Sequence, residues 1–274
     1  MERFDQLPSL KELLIAHDLW AKKSLGQNFL LNPSITDRIA TSAQVTGKNV
    51  LEVGPGPGGL TRSLLKKNPK HLIALEKDKR CIQLLQGLVE VALGKFTLLE
   101  KDALKIQLKE IYPKEKVTIA ANLPYNIGTE LLIGWLKDID SIESMTLMFQ
   151  KEVARRIVAK PDTKEYGRLS VIAQALCDTK ILFDLPPTAF TPAPKVTSSV
   201  IRLVPKQNYQ DYIPFIPALE KITAAAFGQR RKMLRSSLKG LFTEHILEGL
   251  NIDPERRAET LSVEEFLTLS KWIS

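Results

Sequence analysis

The chain is poor in the residues that build metal centres and covalent frameworks: its 274 residues include two cysteines, Cys81 and Cys177, and three histidines, His17, His71 and His245. The cysteines lie far apart, in no Cys-x-x-Cys pair and beside no histidine, so neither a disulfide scaffold nor a zinc site is expected. The histidines stand singly, without the spacing of a metal set or of a nucleophile's base, and read as structural or surface groups. No metal cofactor is therefore expected. Long apolar runs are also missing. None approaches the roughly 20 residues that cross a bilayer, which argues against a membrane partner. Met1 to Asp18 carries acidic residues and lacks the basic, apolar and small-residue order of a secretion signal. Instead, Ser9-Leu10-Lys11-Glu12 has the pattern of a capping box opening a short amphipathic helix. A cytoplasmic monomer is the expectation.

What is present points to a compact α/β protein. A hydrophobic content of 44% over 274 residues is enough for a sizeable core. Lys and Arg total 39 against 31 acidic residues, a net charge of +8 that favours a polyanionic partner without requiring one. From Asn49 to Leu203, short β-branched runs alternate with helical segments, the mark of a mainly parallel sheet. Strands are expected at Asn49–Val53, His71–Leu75, Phe96–Leu99, Val117–Ala121, Met145–Phe149, Lys180–Phe183 and Val200–Val204. Only the Pro-rich stretch from Leu185 to Pro194 separates the last two, too little for a parallel crossover, so the final strand should run antiparallel. Beyond Pro205 the strand signals stop and short amphipathic helices follow. A boundary near Pro205 to Tyr212 divides 1–207, with a helical extension over 1–45, from a small all-α domain at 208–274.

The first strand, Val50-Leu51-Glu52-Val53, runs into Gly54-Pro55-Gly56-Pro57-Gly58-Gly59-Leu60-Thr61. Such a turn lets a ligand approach the backbone closely and presents helix N-terminal amides. It lacks the Gly-Lys-Ser/Thr ending of a P-loop, which disfavours ATP hydrolysis. Glu76 ends the next strand, twenty residues after Gly56, where a carboxylate can accept ribose hydroxyls; the alternative is a solvated side chain. Asp102 follows the third strand and either accepts a bond from an adenine amine or caps a helix. Asn122-Leu123-Pro124-Tyr125 follows the fourth. In a parallel sheet these ends share one edge and converge on one crevice.

Asn122 to Tyr125 suits one difficult reaction. The exocyclic amine of adenine is a poor nucleophile because its lone pair is delocalised into the ring, so it must be oriented rather than merely deprotonated. The Asn122 amide oxygen and the Leu123 carbonyl can accept its two hydrogens. Pro124 holds the preceding residue extended, and Tyr125 can stack on an adenine drawn out of its helix or loop. A nicotinamide-dependent oxidoreductase would explain the glycine turn and Glu76 but leaves this tetrapeptide unused. An RNA-binding assembly factor would explain the basic residues alone.

These segments resemble the ribosomal RNA adenine dimethyltransferase family, which includes the erythromycin-resistance methyltransferases and the eukaryotic dimethyladenosine transferases. The resemblance runs through Lys22-Lys23-Ser24-Leu25-Gly26-Gln27-Asn28-Phe29-Leu30, the Val50 to Thr61 turn, Glu76, Asp102 and Asn122 to Tyr125. It continues through Phe190-Thr191-Pro192-Ala193-Pro194-Lys195-Val196-Thr197-Ser198-Ser199 and Phe227-Gly228-Gln229-Arg230-Arg231-Lys232-Met233-Leu234-Arg235. Leu25 and Pro57 depart from residues common in relatives, at positions without a chemical role. The resemblance implies a Rossmann-like class I methyltransferase with a seven-stranded, mainly parallel sheet, its last strand antiparallel, and a small helical C-terminal domain. It implies S-adenosylmethionine as cofactor, held by Asn28, Leu30, Gly54, Glu76, Asp102 and Asn122, and a catalytic set of Asn122, Leu123, Pro124, Tyr125 and Phe190, with Phe190 facing Tyr125 across the target base. The implied substrate is a pair of adjacent adenosines near the 3′ end of 16S rRNA in an immature small ribosomal subunit.

A helical reading of Phe227 to Leu241 puts Phe227, Leu234, Leu238 and Leu241 on one stripe and Lys232, Arg235 and Lys239 on another. Together with Arg230 and Arg231 this forms a candidate RNA-binding surface, which Lys22, Lys23, Arg155, Arg156 and Lys195 could extend. The alternative is a solvated helix face.

Overall fold

A computed structural model describes residues 4, 6–19, 21 and 27–273. Lys22, Lys23 and Leu25 lie outside the described residues. Among the described residues nine strands form, β1 (Phe29–Leu30), β2 (Asn49–Val53), β3 (His71–Glu76), β4 (Phe96–Glu100), β5 (Val117–Asn122), β6 (Ile142–Gln150), β7 (Cys177–Leu185), β8 (Phe190–Thr191) and β9 (Ser198–Pro205). Seven make one sheet in the order β4-β3-β2-β5-β6-β9-β7, and β1 pairs with β8 in a separate two-stranded ladder. The pairs β2–β3, β3–β4, β2–β5 and β5–β6 are parallel, whereas β6–β9 is antiparallel with Gln150 opposite Ser198. The expected reversal of the last strand is thus present.

Helices fill the connections: α1 (Leu10–Ala16), α2 (Pro33–Ala43), α3 (Gly59–Lys66), α4 (Lys79–Val91), α5 (Leu108–Ile111) and α6 (Gly128–Lys137), then α7 (Lys151–Val158) and α8 (Arg168–Leu176). The C-terminal stretch adds α9 (Ile216–Gly228), α10 (Leu234–Ser237), α11 (Glu244–Gly249) and α12 (Val263–Ile273). The capping box closes as its spacing predicts: Ser9 N–H donates to Glu12 Oε2 at 2.8 Å and Glu12 N–H to Ser9 Oγ at 3.2 Å. Among the described residues no helix is long and apolar enough to cross a membrane.

Every residue of β2 is buried, and β3 and β5 are buried along nearly their whole length. Strands covered on both faces read as unbroken apolar runs, so the sequence locates them to within a residue. β6 starts three residues before its expected Met145, because Glu143 and Ser144 interrupt the apolar signal. β7 extends beyond Lys180–Phe183 at both ends, its interior residues exposed or only partly buried as suits an edge strand.

The chain divides into two compact units, Met1–Ala154 with Ile181–Val204, and Arg155–Lys180 with Pro205–Ser274. This differs from the expected division at 207/208, because residues 155–180 belong with the C-terminal helices. Between two strands, α8 reads as a crossover helix. Its buried Val171, Ile172, Ala173, Ala175 and Leu176 instead serve a helical core, in which α8 packs on α9 and α12. An aromatic chain reinforces that core, with Phe227 lying 6.0 Å from Tyr166 and 5.6 Å from Phe266 between ring centroids, contacts worth about 0.5–1.5 kcal/mol each beyond area burial.

The continuous helix expected from Phe227 to Leu241 does not form. α9 ends at Gly228, Met233 is extended and bridges Arg257, and only Leu234–Ser237 resumes helical structure. Glycine is a weak helix former, and Leu234 N–H and Arg235 N–H donate to the Arg256 and Pro254 carbonyls, partners a straight helix would forgo. The apolar assignment survives the break, since Leu234 and Leu238 are fully buried.

Candidate active site

The sheet winds outward from β2 through β3 to β4 and then returns to β5 beside β2, which opens a crevice at the carboxyl ends of these strands. A cavity occupies that place. Its walls include Asn28, Leu30, Glu52, Gly54, Glu76, Asp102 and the whole of Asn122 to Tyr125. The four strand ends expected to converge therefore do so.

Two glycines shape the floor. Gly56 has φ +55°, a region that L side chains rarely adopt, and its N–H donates to Glu76 Oε2 at 3.1 Å. Gly59, the first residue of α3, lies so close to β1 that an added Cβ would stand 2.3 Å from the Leu30 carbonyl oxygen. Only a residue without Cβ lets the two backbones meet, and that meeting brings Asn28 and Leu30 to the cavity.

Glu76 is 7% exposed, so the solvated alternative does not hold. Its Oε1 accepts from Lys77 N–H at 2.7 Å and Asp78 N–H at 2.8 Å, in addition to the Gly56 bond. Three of about four lone-pair sites are thus engaged. Burial raises its pKa against the pull of these three amides, and the nearby Asp78 charge adds to the rise. Asp102 takes the capping role and stands on the cavity wall. Its Oδ1 caps a turn at Ala103–Lys105 by accepting from Leu104 N–H at 3.2 Å, while its Oδ2 meets Lys77 Nζ at 3.0 Å on the cavity wall. The bond from Lys77 is the main reason its pKa is lowered.

Asn122 ends β5, and its Nδ2 donates to the Asn28 carbonyl at 3.1 Å. A carbonyl only accepts, so this bond fixes which end of the amide is which and commits Oδ1 to the acceptor role. Leu123 is buried, and the Pro124 ring packs against Gly54, its Cδ 3.5 Å from where a Cβ would sit. Ile127 and Gly128 N–H both donate to the Pro124 carbonyl, closing the turn that carries Tyr125. The Tyr125 hydroxyl reaches Ser198 Oγ at 2.6 Å.

Phe190 stands apart from this group. It is 4% exposed within a core cluster containing Leu30, Leu185 and Val200, and it does not line the cavity. The cavity wall thus includes Tyr125 and not Phe190. Backbone pairing sets Phe190 opposite Leu30, and both are buried in the same core cluster.

Glu52 was not singled out from the sequence, yet it is the most perturbed acid in the cavity wall. It is 1% exposed, and its Oε2 has no hydrogen-bond partner. Burial pushes its carboxyl up to about 8, opposed by the neighbouring Thr61 hydroxyl and assisted by the charge of Glu76. The available signal was a carboxylate inside an apolar strand, immediately before the glycine turn. Gln27 Nε2 donates to Asp78 Oδ2 at 3.0 Å, and Asp78 pairs with Arg80, which holds its carboxyl down at about 2.

The basic stretch lies in the second unit. Arg230, Arg231, Lys232, Arg235 and Lys239 are all exposed. Two are engaged internally: Arg230 donates to the Lys164 carbonyl at 2.8 Å and pairs with Glu259, and Arg235 pairs with Glu255 at 3.3 Å.

Doubly wound topology, a glycine turn at the switch point and an acidic residue ending each of the next two strand segments define a Rossmann-like, S-adenosylmethionine-dependent methyltransferase. The profile of the ribosomal RNA adenine dimethylase family matches residues 19–274, and the chain belongs to that family. It is 50% identical over 275 residues to ribosomal RNA small subunit methyltransferase A of Rhizobium etli, covering 98% of this chain and 99% of the relative. The same-named protein of Dinoroseobacter shibae is 50% identical over 280 residues, covering 100% and 99%. Among solved structures, a dimethyladenosine transferase from Plasmodium falciparum superposes with a TM-score of 0.76 at 26% identity, over 87% of this chain and 94% of that one. The 23S rRNA methyltransferase ErmE does so with a TM-score of 0.69 at 25% identity, over 90% and 99%. The chain is accordingly an enzyme that dimethylates adenine in ribosomal RNA.

Proposed function

We infer that the substrate is the pair of adjacent adenosines near the 3′ end of 16S rRNA, methylated at N6 within an immature small ribosomal subunit by a cytoplasmic monomer. The names of relatives half identical over their full length support the small subunit. The observation that carries the site assignment is the pinned Asn122 amide, whose Nδ2 is spent on Asn28 and whose oxygen is left as an acceptor at the cavity.

The residues present fit the donor: the glycine turn leaves room beside the backbone, and the orphaned Glu52 Oε2 is a buried polar atom on the cavity wall. Bound S-adenosylmethionine supplies an electrophilic sulfonium methyl group. Asn28, Leu30 and Gly54 line its site, Glu76 holds the ribose and Asp102 the adenine amine. Asn122 Oδ1 and the Leu123 carbonyl take the two hydrogens of the target amine, which turns its lone pair toward the methyl group. Pro124, packed on Gly54, keeps that carbonyl in place, and Tyr125 offers its ring to the everted base. Phe190 contributes indirectly, as the strand partner that seats Leu30. Positioning supplies the rate, since two reactants held in line gain up to about 7–11 kcal/mol of pre-paid entropy. Arg230, Arg231, Lys232, Arg235 and Lys239 meet RNA phosphates.

Incubation with labelled cofactor and immature small subunits should place label in dimethyladenosine. Absence of label from adenine would refute the assignment.

A further inference from the structure

Ser198 has no place in the chemistry described so far, yet it is a fully buried hydroxyl whose side-chain partner is a residue of the cavity wall. Tyr125 comes from a turn, which by itself leaves a ring free to swing. At its far end, however, its hydroxyl is held by Ser198 Oγ at 2.6 Å, and the start of β9 that carries Ser198 is anchored on both sides. Lys151 N–H donates to the Thr197 carbonyl at 2.9 Å. Ser199, which projects to the opposite face of the strand, donates to Asp184 Oδ1 at 2.6 Å, and Asp184 Oδ2 accepts from Lys151 Nζ. The antiparallel register with β6 adds Gln150 opposite Ser198 and Phe149 opposite Ser199.

We propose that Ser198 is a positioning residue for the target adenine: its bond to the Tyr125 hydroxyl, braced by the Lys151–Asp184–Ser199 chain, fixes the place and long axis of the ring on which the base rests. This builds on the reading of Tyr125 as the stacking face. A ring held at Cβ and at its hydroxyl cannot swing about χ1, so that part of the ordering cost of binding is met in the free protein. The reversed strand thereby acquires a role beyond completing the sheet.

The test compares Ser198→Ala, Tyr125→Phe, their double variant and Tyr125→Ala. The measurements are single-turnover methyl transfer to immature small subunits, cofactor affinity by calorimetry, Tm, and quenching of 2-aminopurine placed at the target position of an RNA fragment. Ser198→Ala and Tyr125→Phe should each slow transfer about tenfold, as loss of alignment does, weaken the quenching, and leave cofactor affinity unchanged. The double variant should be no slower than the poorer single one, because both remove the same bond. Ser198→Ala leaves a buried tyrosine hydroxyl without its partner, and the double variant does not. Recovery of wild-type transfer in the double variant, together with its Tm, would reduce the bond to a structural one and overturn the proposal, as would wild-type transfer by Ser198→Ala beside an inactive Tyr125→Ala. Wild-type transfer by Tyr125→Ala would remove the stacking role of Tyr125 itself.

Discussion

The cavity at the strand ends and the basic stretch from Gly228 to Gly240 are built by opposite means. The cavity is built from backbone: Gly59 against the Leu30 carbonyl, Gly56 N–H on Glu76, and the Asn28 carbonyl on Asn122. Its groups are buried or half-buried and held by one another. The basic stretch holds five cations and no acidic residue between Gly228 and Gly240, all of them exposed, two held by local partners. Burial makes each cavity group expensive to disturb. Exposure makes each cation individually cheap.

The sharpest way to break that contrast is to titrate the most buried acid. Below about pH 4.5 Glu52 is protonated whether the chain is folded or not. As pH rises the unfolded carboxyl ionises first, while the folded one keeps its proton up to about 8. The contribution of Glu52 to stability is therefore full below about pH 4.5, is lost progressively up to about 8 and levels off above it, a loss of up to ~5 kcal/mol. Glu76, also raised, contributes a slope of the same sign. Tm measured against pH should show the decline in the wild type and a markedly flatter curve in Glu52→Gln; identical curves would remove the buried-acid account.

Asn122→Ala comes next. Losing one fixed acceptor at the reacting amine should cost about 10²–10³ in kcat, by analogy with removing a preorganised donor from an oxyanion hole, with RNA affinity retained. Unchanged transfer would dismiss the amide from the mechanism, while lost RNA binding would merge the two regions that the comparison separates. The smallest effect belongs to Arg231, Lys232 and Lys239. Each single change to Ala should reduce the slope of RNA affinity against salt by about one unit and leave cofactor affinity untouched. A loss of cofactor affinity, or an unaltered salt slope, would contradict the division of labour.

The same contrast explains which residues could be read in advance. β2, β3 and β5 are legible because burial on both faces demands unbroken apolar runs, and the four strand-end residues follow from parallel order. Glu52 was passed over although its place inside an apolar strand marks it, because its depth of burial depends on the elements that cover both faces of that strand. The stretch from Phe227 to Leu241 has a helical period, but a period does not register that Gly228 and the partners offered by Pro254 and Arg256 break the helix. α8 sits between two strands in the chain and belongs to the other unit in space.

By itself, the amino-acid order determined a mainly parallel sheet, its reversed last strand, and the meeting of Gly54, Glu76, Asp102 and Asn122 at one edge, because these depend on periodicity and strand direction, which are properties of neighbouring residues. Only the tertiary structure decided that Phe190 turns into the core, that the Asn122 amide is pinned by Asn28, and that Ser198 clasps Tyr125 from 73 positions away. Those outcomes depend on which distant atoms compete for one hydrogen bond or one void, a contest that chain order does not encode locally.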